Sequence, residues 1–275
     1  MFAVRSRGVV VLAGVLLVAG CSSPPAPPSP APSPPSPSRA ASLAPVPSPA
    51  PAAPEPSVAR KPVTVVLDPG HNGGNSAAPG VIDEPVPAGR GQTKPCNTTG
   101  TASNGGYPEH AFNWDVAQRV GALLRAAGVQ VVYTRPDDSG VGPCVDERAA
   151  IGNRAAAAAV VSIHADGSNA SGARGFHIAY SSPALNAAQG APSVALARSV
   201  RAGLSSAGFP VSNYLGSDGL APRDDLAGLN LSDRPAVLVE CGNMRNAGDS
   251  SMMSSAGGRQ RYAAAIASGI LSFLG

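Results

Sequence analysis

The chain has four histidines, and two of them stand where a short apolar run breaks into polar residues and glycine: His71 in "VVLDPGHNG" and His164 in "VVSIHAD". Glu240 has the same placing in "AVLVECGN". Two imidazoles delivered at equivalent points suit metal ligation. A catalytic zinc site takes three nitrogen or oxygen donors and leaves one position for water, and two histidines with one carboxylate form a familiar set. Glu109, at the start of a helical pattern, is the candidate third ligand. It is also a natural first-turn acid stabilised by the helix dipole, and residue chemistry alone favours that capping role. His110 competes as a ligand. Asp68 and Asp166 compete as carboxylate ligands or as partners that orient an imidazole.

A carboxylate ending an apolar run is costly to bury unless it has a partner or a function. Glu240 therefore reads equally as a general base acting on water and as the ion-pair partner of an arginine such as Arg148 or Arg234. Arg148 itself reads better as a structural salt-bridge partner than as a substrate contact. The sequence contains no HExxH, no GxSxG and no phosphate-binding loop of the Walker type, which excludes several common hydrolase and nucleotide-binding chemistries. "GHNGG" is too unspecific for a phosphate cradle; its glycines suit a close approach of substrate to backbone.

These residues need a frame. "VTVVLDPGH", "AVVSIHAD" and "AVLVECGN" are nearly continuous apolar runs rich in β-branched residues, which predicts strands buried on both faces. "VQVVYTR" and "GARGFHIAYSS" supply two more. Helices are predicted over Glu109–Gly128, with Phe112, Val116, Val120, Leu123 and Leu124 on one face, and over Val145–Ala159, Ser193–Gly208 and Gly258–Leu274. The alternation predicts one α/β domain with a mostly parallel twisted sheet flanked by helices. Ligands of such sheets bind beyond the carboxyl ends of the strands, where His71, His164 and Glu240 fall. Asp68 and Pro69 are expected to end the first strand and Gly70 to turn the chain sharply. The next glycines, Gly73 and Gly74, are expected to floor the substrate site.

Residues 1–21 have the layout of a secretory signal, with Arg5 and Arg7 before "GVVVLAGVLLVAG", a run too short for a comfortable permanent span. Val18, Ala19, Gly20 and Cys21 resemble the lipobox of bacterial lipoproteins, which makes Cys21 the expected lipidation site; an ordinary cleaved signal is the alternative. Residues 22–61 are dominated by Pro, Ser and Ala and form an expected disordered spacer, so the folded domain is expected to span 62–275. The expected location is the outer face of the plasma membrane, or the periplasm or wall if the signal is simply cleaved. Cys96 and Cys144, both in polar loops, form the expected disulfide of an oxidising compartment, with two free thiols as the alternative. Cys241 reads as core. A net charge of +3 carried by scattered basic residues gives no support to nucleic-acid binding. A monomer is expected, touching membrane only through its lipid.

At these residues the sequence resembles the zinc-dependent N-acetylmuramoyl-L-alanine amidases of the Amidase_3 type. The blocks are "VVLDPGHNG", "PEHAFNWDVAQRVGALLRAAGVQVVYTR", "ERAAIGNRAAAAAVVSIHAD" and "PAVLVECGNMRNAGD", which together span nearly all of Lys61 to Gly275. The resemblance implies that His71, Glu109 and His164 hold one catalytic Zn2+ and that Glu240 is the catalytic glutamate. It lifts Glu109 above the capping reading and makes His110 a neighbour. The implied reaction is hydrolysis of the amide between the lactyl group of N-acetylmuramic acid and L-alanine, on peptidoglycan or muropeptides. A long cysteine-bearing loop over Asn75–Pro108, "CGNMRN" after Glu240 in place of a frequent Gly-Phe pair, and the lack of wall-binding repeats look most like stand-alone mycobacterial and actinobacterial members. No long amphipathic insertion is present, so an open site is expected. Two other readings are a zinc hydrolase cutting a different wall bond and a non-catalytic peptidoglycan-binding lipoprotein on a degenerate scaffold. Loss of a ligand or of the glutamate would mark the latter, and all four residues are present.

Overall fold

The computed structural model describes residues 62–275. The signal, Cys21 and the spacer lie outside the described residues. In chain order the elements are β1 (Thr64–Pro69), α1 (Pro79–Ile82), β2 (Pro85–Gly89), β3 (Gln92–Pro95), α2 (Glu109–Ala126), β4 (Gln130–Tyr133), α3 (Val145–Arg154), β5 (Ala159–Asp166), β6 (His177–Ser181), α4 (Ala191–Ser206), β7 (Leu220–Arg223), α5 (Ala227–Asn230), β8 (Ala236–Asn243), α6 (Ala247–Ser254) and α7 (Ala256–Leu274).

Six strands form one sheet in the order β4-β1-β5-β8-β6-β7. The first four named run parallel. β6 is antiparallel to β8, and β7 runs parallel to β6. The reversal follows from connection length. A parallel partner needs a crossover of about a dozen residues or more, usually a helix. Between β5 and β6 the chain has no helix and passes over the end of β8.

Both faces are covered, which is why the strand sequences are continuously apolar. On one face Val65, Leu67, Val161, Ile163, Val237 and Val239 pack against Phe112, Val116, Val120 and Leu124 of α2, Leu196 and Val200 of α4, and Ile266 and Ile270 of α7. Leu123, expected on that stripe, is only partly buried. The other face has a smaller cluster, with Val66, Val160 and Ala236 against Leu229 of α5, flanked by Ile151 of α3. α2 stops at Gly128, whose φ of 82° closes the helix without Cβ strain. α3 ends five residues earlier than the alanine run suggests. Ala156 turns with φ 47°, Ala158 N donates to Thr64 O at 2.8 Å, and the sheet claims Ala159.

Cys96 and Cys144 form a disulfide. It fastens the loop after β3 to the start of α3, where Val145 N also donates to Cys96 O at 2.8 Å and Asn97 Nδ2 to Pro143 O at 2.8 Å. Cys241 is free and buried, as a small core residue.

Candidate active site

His71 has φ 58°, the left-handed region that side chains disfavour, so something must hold the turn. Three buried side chains do so through its carbonyls. Arg148 donates to Pro69 O and His71 O, each at 2.8 Å. Arg135 Nε donates to Pro69 O at 2.8 Å, and Asn113 Nδ2 to Gly70 O at 3.2 Å. Arg148 also pairs with Asp68 at 2.6 Å, the structural role its chemistry favoured. The sharp turn therefore falls on His71 rather than on Gly70. Gly70 is needed for a different reason: a Cβ there would lie 2.1 Å from the His164 ring. Gly73 and Gly74 do not floor the cleft. They make room for the carbonyls of Asp138 and Gly140, which a Cβ would meet at 2.1 and 2.6 Å.

Strand ends β1 and β5 and the start of α2 bring His71, Glu109 and His164 together, with one potential ligand atom from each lying within 4.8 Å of the others. The rings of His71 and His164 meet edge to face, centroids 4.9 Å apart. His71 Nδ1 lies 3.0 Å from Thr98 O. A carbonyl only accepts, so Nδ1 carries the proton and Nε2 keeps its lone pair. That lone pair faces Glu109 Oε1 at 3.2 Å. Two electron-pair donors at that separation require a shared cation, a proton or a metal, between them. His164 Nδ1 stands 2.9 Å from the same oxygen. Donors about 2.0–2.1 Å from a tetrahedral zinc lie roughly 3.3 Å from one another, and the two separations to Glu109 Oε1 are of that size.

Glu109 is 4% exposed, and its bonds run to groups outside the first turn of its own helix. Oε1 accepts from Ala165 N and Asn113 Nδ2, each at 3.2 Å, and Oε2 from Thr101 N at 2.9 Å. None of these is a first-turn amide of its own helix, and Oε1 also faces both imidazoles. Burial opposes its ionisation, but His71 and His164 outweigh this and hold its carboxyl well below the usual range. For His71, burial likewise opposes charge, and Glu109 with the Thr98 carbonyl raises its imidazole.

Glu240 pairs in register with His164 across β5 and β8. Among the described residues no arginine pairs with it: Arg148 is engaged as above, Arg234 donates to the carbonyls of Ala157 and Ala156 at 2.5 and 3.1 Å, and Arg223, whose charge reaches Glu240, is paired with Asp225. Its Oε2 is buried without any hydrogen-bond partner. Burial raises its carboxyl well above the usual range, with the negative charges of Glu109 and Asp166 adding to the effect. Such a group holds a proton more readily than an ordinary carboxylate does.

The remaining candidates are not members of the three-residue group and have partners of their own. His110 Nδ1 is 2.8 Å from Asp138 Oδ2. Asp68 accepts from Thr134, Ser162 and Arg148, each at 2.6 Å. Asp166 accepts from Tyr214 Oη at 2.9 Å. A cleft of 230 Å³ lined by Thr98, Gly100, Thr101, Asp166 and Gly167 opens over the cluster. Behind it a mostly apolar cavity of 270 Å³ runs from His71, His164 and Glu240 along the sheet to Leu226, Leu229 and Leu238. Thr98, Thr134, Arg135 and Ser162 were not singled out from sequence. Their polar atoms reach the site through tertiary contacts that no local pattern signals.

A family model described as N-acetylmuramoyl-L-alanine amidase matches residues 65–272. The chain belongs to the Amidase_3 family. It is an enzyme of the amidase class, a hydrolase, with N-acetylmuramoyl-L-alanine amidase activity. A curated N-acetylmuramoyl-L-alanine amidase of Mycobacterium tuberculosis is 52% identical over 212 residues, covering 77% of this chain and 86% of the relative. The crystal structure of the Mycobacterium smegmatis N-acetylmuramyl-L-alanine amidase is similar at a TM-score of 0.74 and 54% identity, over 77% of this chain and 96% of that one. The apo form of the corresponding Mycobacterium abscessus amidase gives 0.75 and 51%, over 78% and 99%. The likeness to these amidases matches the single α/β domain described above.

Proposed function

We propose that this amidase is zinc-dependent, with His71, Glu109 and His164 as the ligands and Glu240 as the catalytic base, and that it cleaves the lactyl–L-alanine amide of peptidoglycan. The observation that carries the reading is the juxtaposition of a two-imidazole, one-carboxylate donor set with a carboxylate whose inner oxygen, Oε2, is buried without a hydrogen-bond partner among the described residues. When bound, zinc supplies a Lewis acid that polarises the scissile carbonyl and acidifies water.

The chain's own groups account for the rest. Glu240 accepts the proton of the water whose oxygen attacks the lactyl carbonyl carbon. It then delivers that proton to the departing nitrogen as the C–N bond breaks, giving a free carboxyl on the muramic acid and a free amine on L-alanine. Thr98 fixes the His71 tautomer, and Asn113, Ala165 and Thr101 fix the Glu109 carboxylate, so the donors need no reorganisation. Export and lipid anchoring through Cys21 belong to the same proposal and rest on the sequence of residues 1–21. Chelation and a Glu240→Ala variant test the site assignment: both abolish muropeptide hydrolysis, and full activity after either contradicts it.

A further inference from the structure

β8 has a second neighbour. Glu240 pairs with His164 of β5 on one side and with His177 of β6 on the other. Directly paired residues on adjacent strands project from the same face, with Cβ atoms about 4.5–5.5 Å apart. A proposed metal ligand, the proposed base and a second imidazole thus stand in one row across the sheet. His177 is 2% exposed, and its Nδ1 has no hydrogen-bond partner, just as Glu240 Oε2 has none. The adjoining Phe176 and Ile178 are fully buried. A buried polar atom left unpaired costs about 1–3 kcal/mol. An aliphatic side chain at 177 avoids that cost. Two such atoms on directly paired residues point to each other as a functional unit.

We infer that His177 is a positioning residue for Glu240: its Nδ1 holds the inner carboxylate oxygen, Oε2, through one water and so aims the other oxygen at the water that attacks the substrate. The inference rests on the reading of Glu240 as the base. The imidazole is itself fixed. The Tyr214 ring meets it edge-on at 6.1 Å and 87°, and Tyr214 Oη is anchored on Asp166 at 2.9 Å. Burial lowers the His177 imidazole to about 4 against the pull of Asp166, so near neutral pH it is uncharged and offers one N–H and one lone pair. A single bridging water with polar groups on both sides is the ordinary way such buried atoms are satisfied.

The test compares His177→Leu, His177→Asn and Glu240→Gln as zinc-loaded full chains, reading kcat, KM, bound zinc and thermal midpoint. Asn places a polar atom where Nδ1 stood. The expected result is that His177→Leu keeps zinc, KM and a midpoint at or above the parent's while kcat falls at least about tenfold, and that His177→Asn recovers most of kcat. A His177→Leu kcat within twofold of the parent overturns the inference. So does a His177→Asn variant that regains the midpoint and zinc lost by His177→Leu without regaining kcat. Glu240→Gln separates the two ideas: if it is inactive while His177→Leu is not, only the role of His177 fails; if it is active, the base assignment fails.

Discussion

Arg148 Nη1 lies 2.6 Å from the Asp68 carboxylate while Nη2 of the same guanidinium donates to the His71 carbonyl at 2.8 Å. One buried side chain thus ties the frame of the sheet to the strained turn that presents an imidazole. Removing one partner of a buried ion pair typically costs about 3–5 kcal/mol, because the other charge is stranded. Arg148→Ala is expected to destabilise the domain by that order in urea unfolding. Arg148→Lys keeps the charge but not the fork, and it is expected to retain most stability while binding zinc more weakly.

The same pair sets an acid limit. Burial on its own raises the Asp68 carboxyl, but Arg148, Ser162 and Thr134 outweigh it and bring it down to about 2, from an ordinary 3.8. A depressed carboxylate contributes stability that is complete above its unfolded value and is lost as pH falls through its folded value. Stability is therefore expected to drop by about 2 kcal/mol between pH 4 and 2 from this group. Denaturant midpoints across that window check it. Asp68→Asn should be less stable at pH 7 and show a shallower fall.

Gly70→Ala tests the close approach of the two imidazoles. The added Cβ would meet the His164 ring at 2.1 Å, and neither β1 nor β5 is free to move away. Zinc affinity, followed by competition with a chromogenic chelator, is expected to fall by about tenfold or more.

The disulfide closes a separation of 48 residues, for which the chain-entropy model gives about 4 kcal/mol. Cys96→Ser with Cys144→Ser should lower stability by up to that amount. Because Thr98 follows Cys96 closely and orients His71, zinc binding should weaken as well. A double variant that loses stability yet binds zinc as the parent does contradicts the orienting role of that loop.

The strands carrying His71, His164 and Glu240 were legible because burial on both faces leaves continuous apolar runs, and residues just past such runs are held firmly at a crevice. Glu109 was not legible from chemistry alone. A helix N-terminus favours an acid whatever its role, and only the loop bringing Thr101 and the strand end bringing Ala165 show where its bonds go. Glycine normally takes positive φ, so the sequence points to Gly70 for the turn, whereas Arg148, Arg135 and Asn113 hold that conformation at His71. The β2–β3 hairpin and β7 were missed: short strands with Pro, Gly and charged residues lack the two-residue alternation that marks a half-buried strand. His177 looked like an ordinary strand residue until the antiparallel register set it beside Glu240.

The central claim is that this donor set and Glu240 together cut one bond. Mass spectrometry of purified muropeptides incubated with the zinc-loaded protein reads that bond directly. The account predicts paired products, a glycan bearing the free lactyl carboxyl and a stem peptide with a free L-alanine amine, absent with Glu240→Gln and after chelation, and restored by zinc. Products cut within the stem or within the glycan, or the same cleavage by Glu240→Gln, would contradict it.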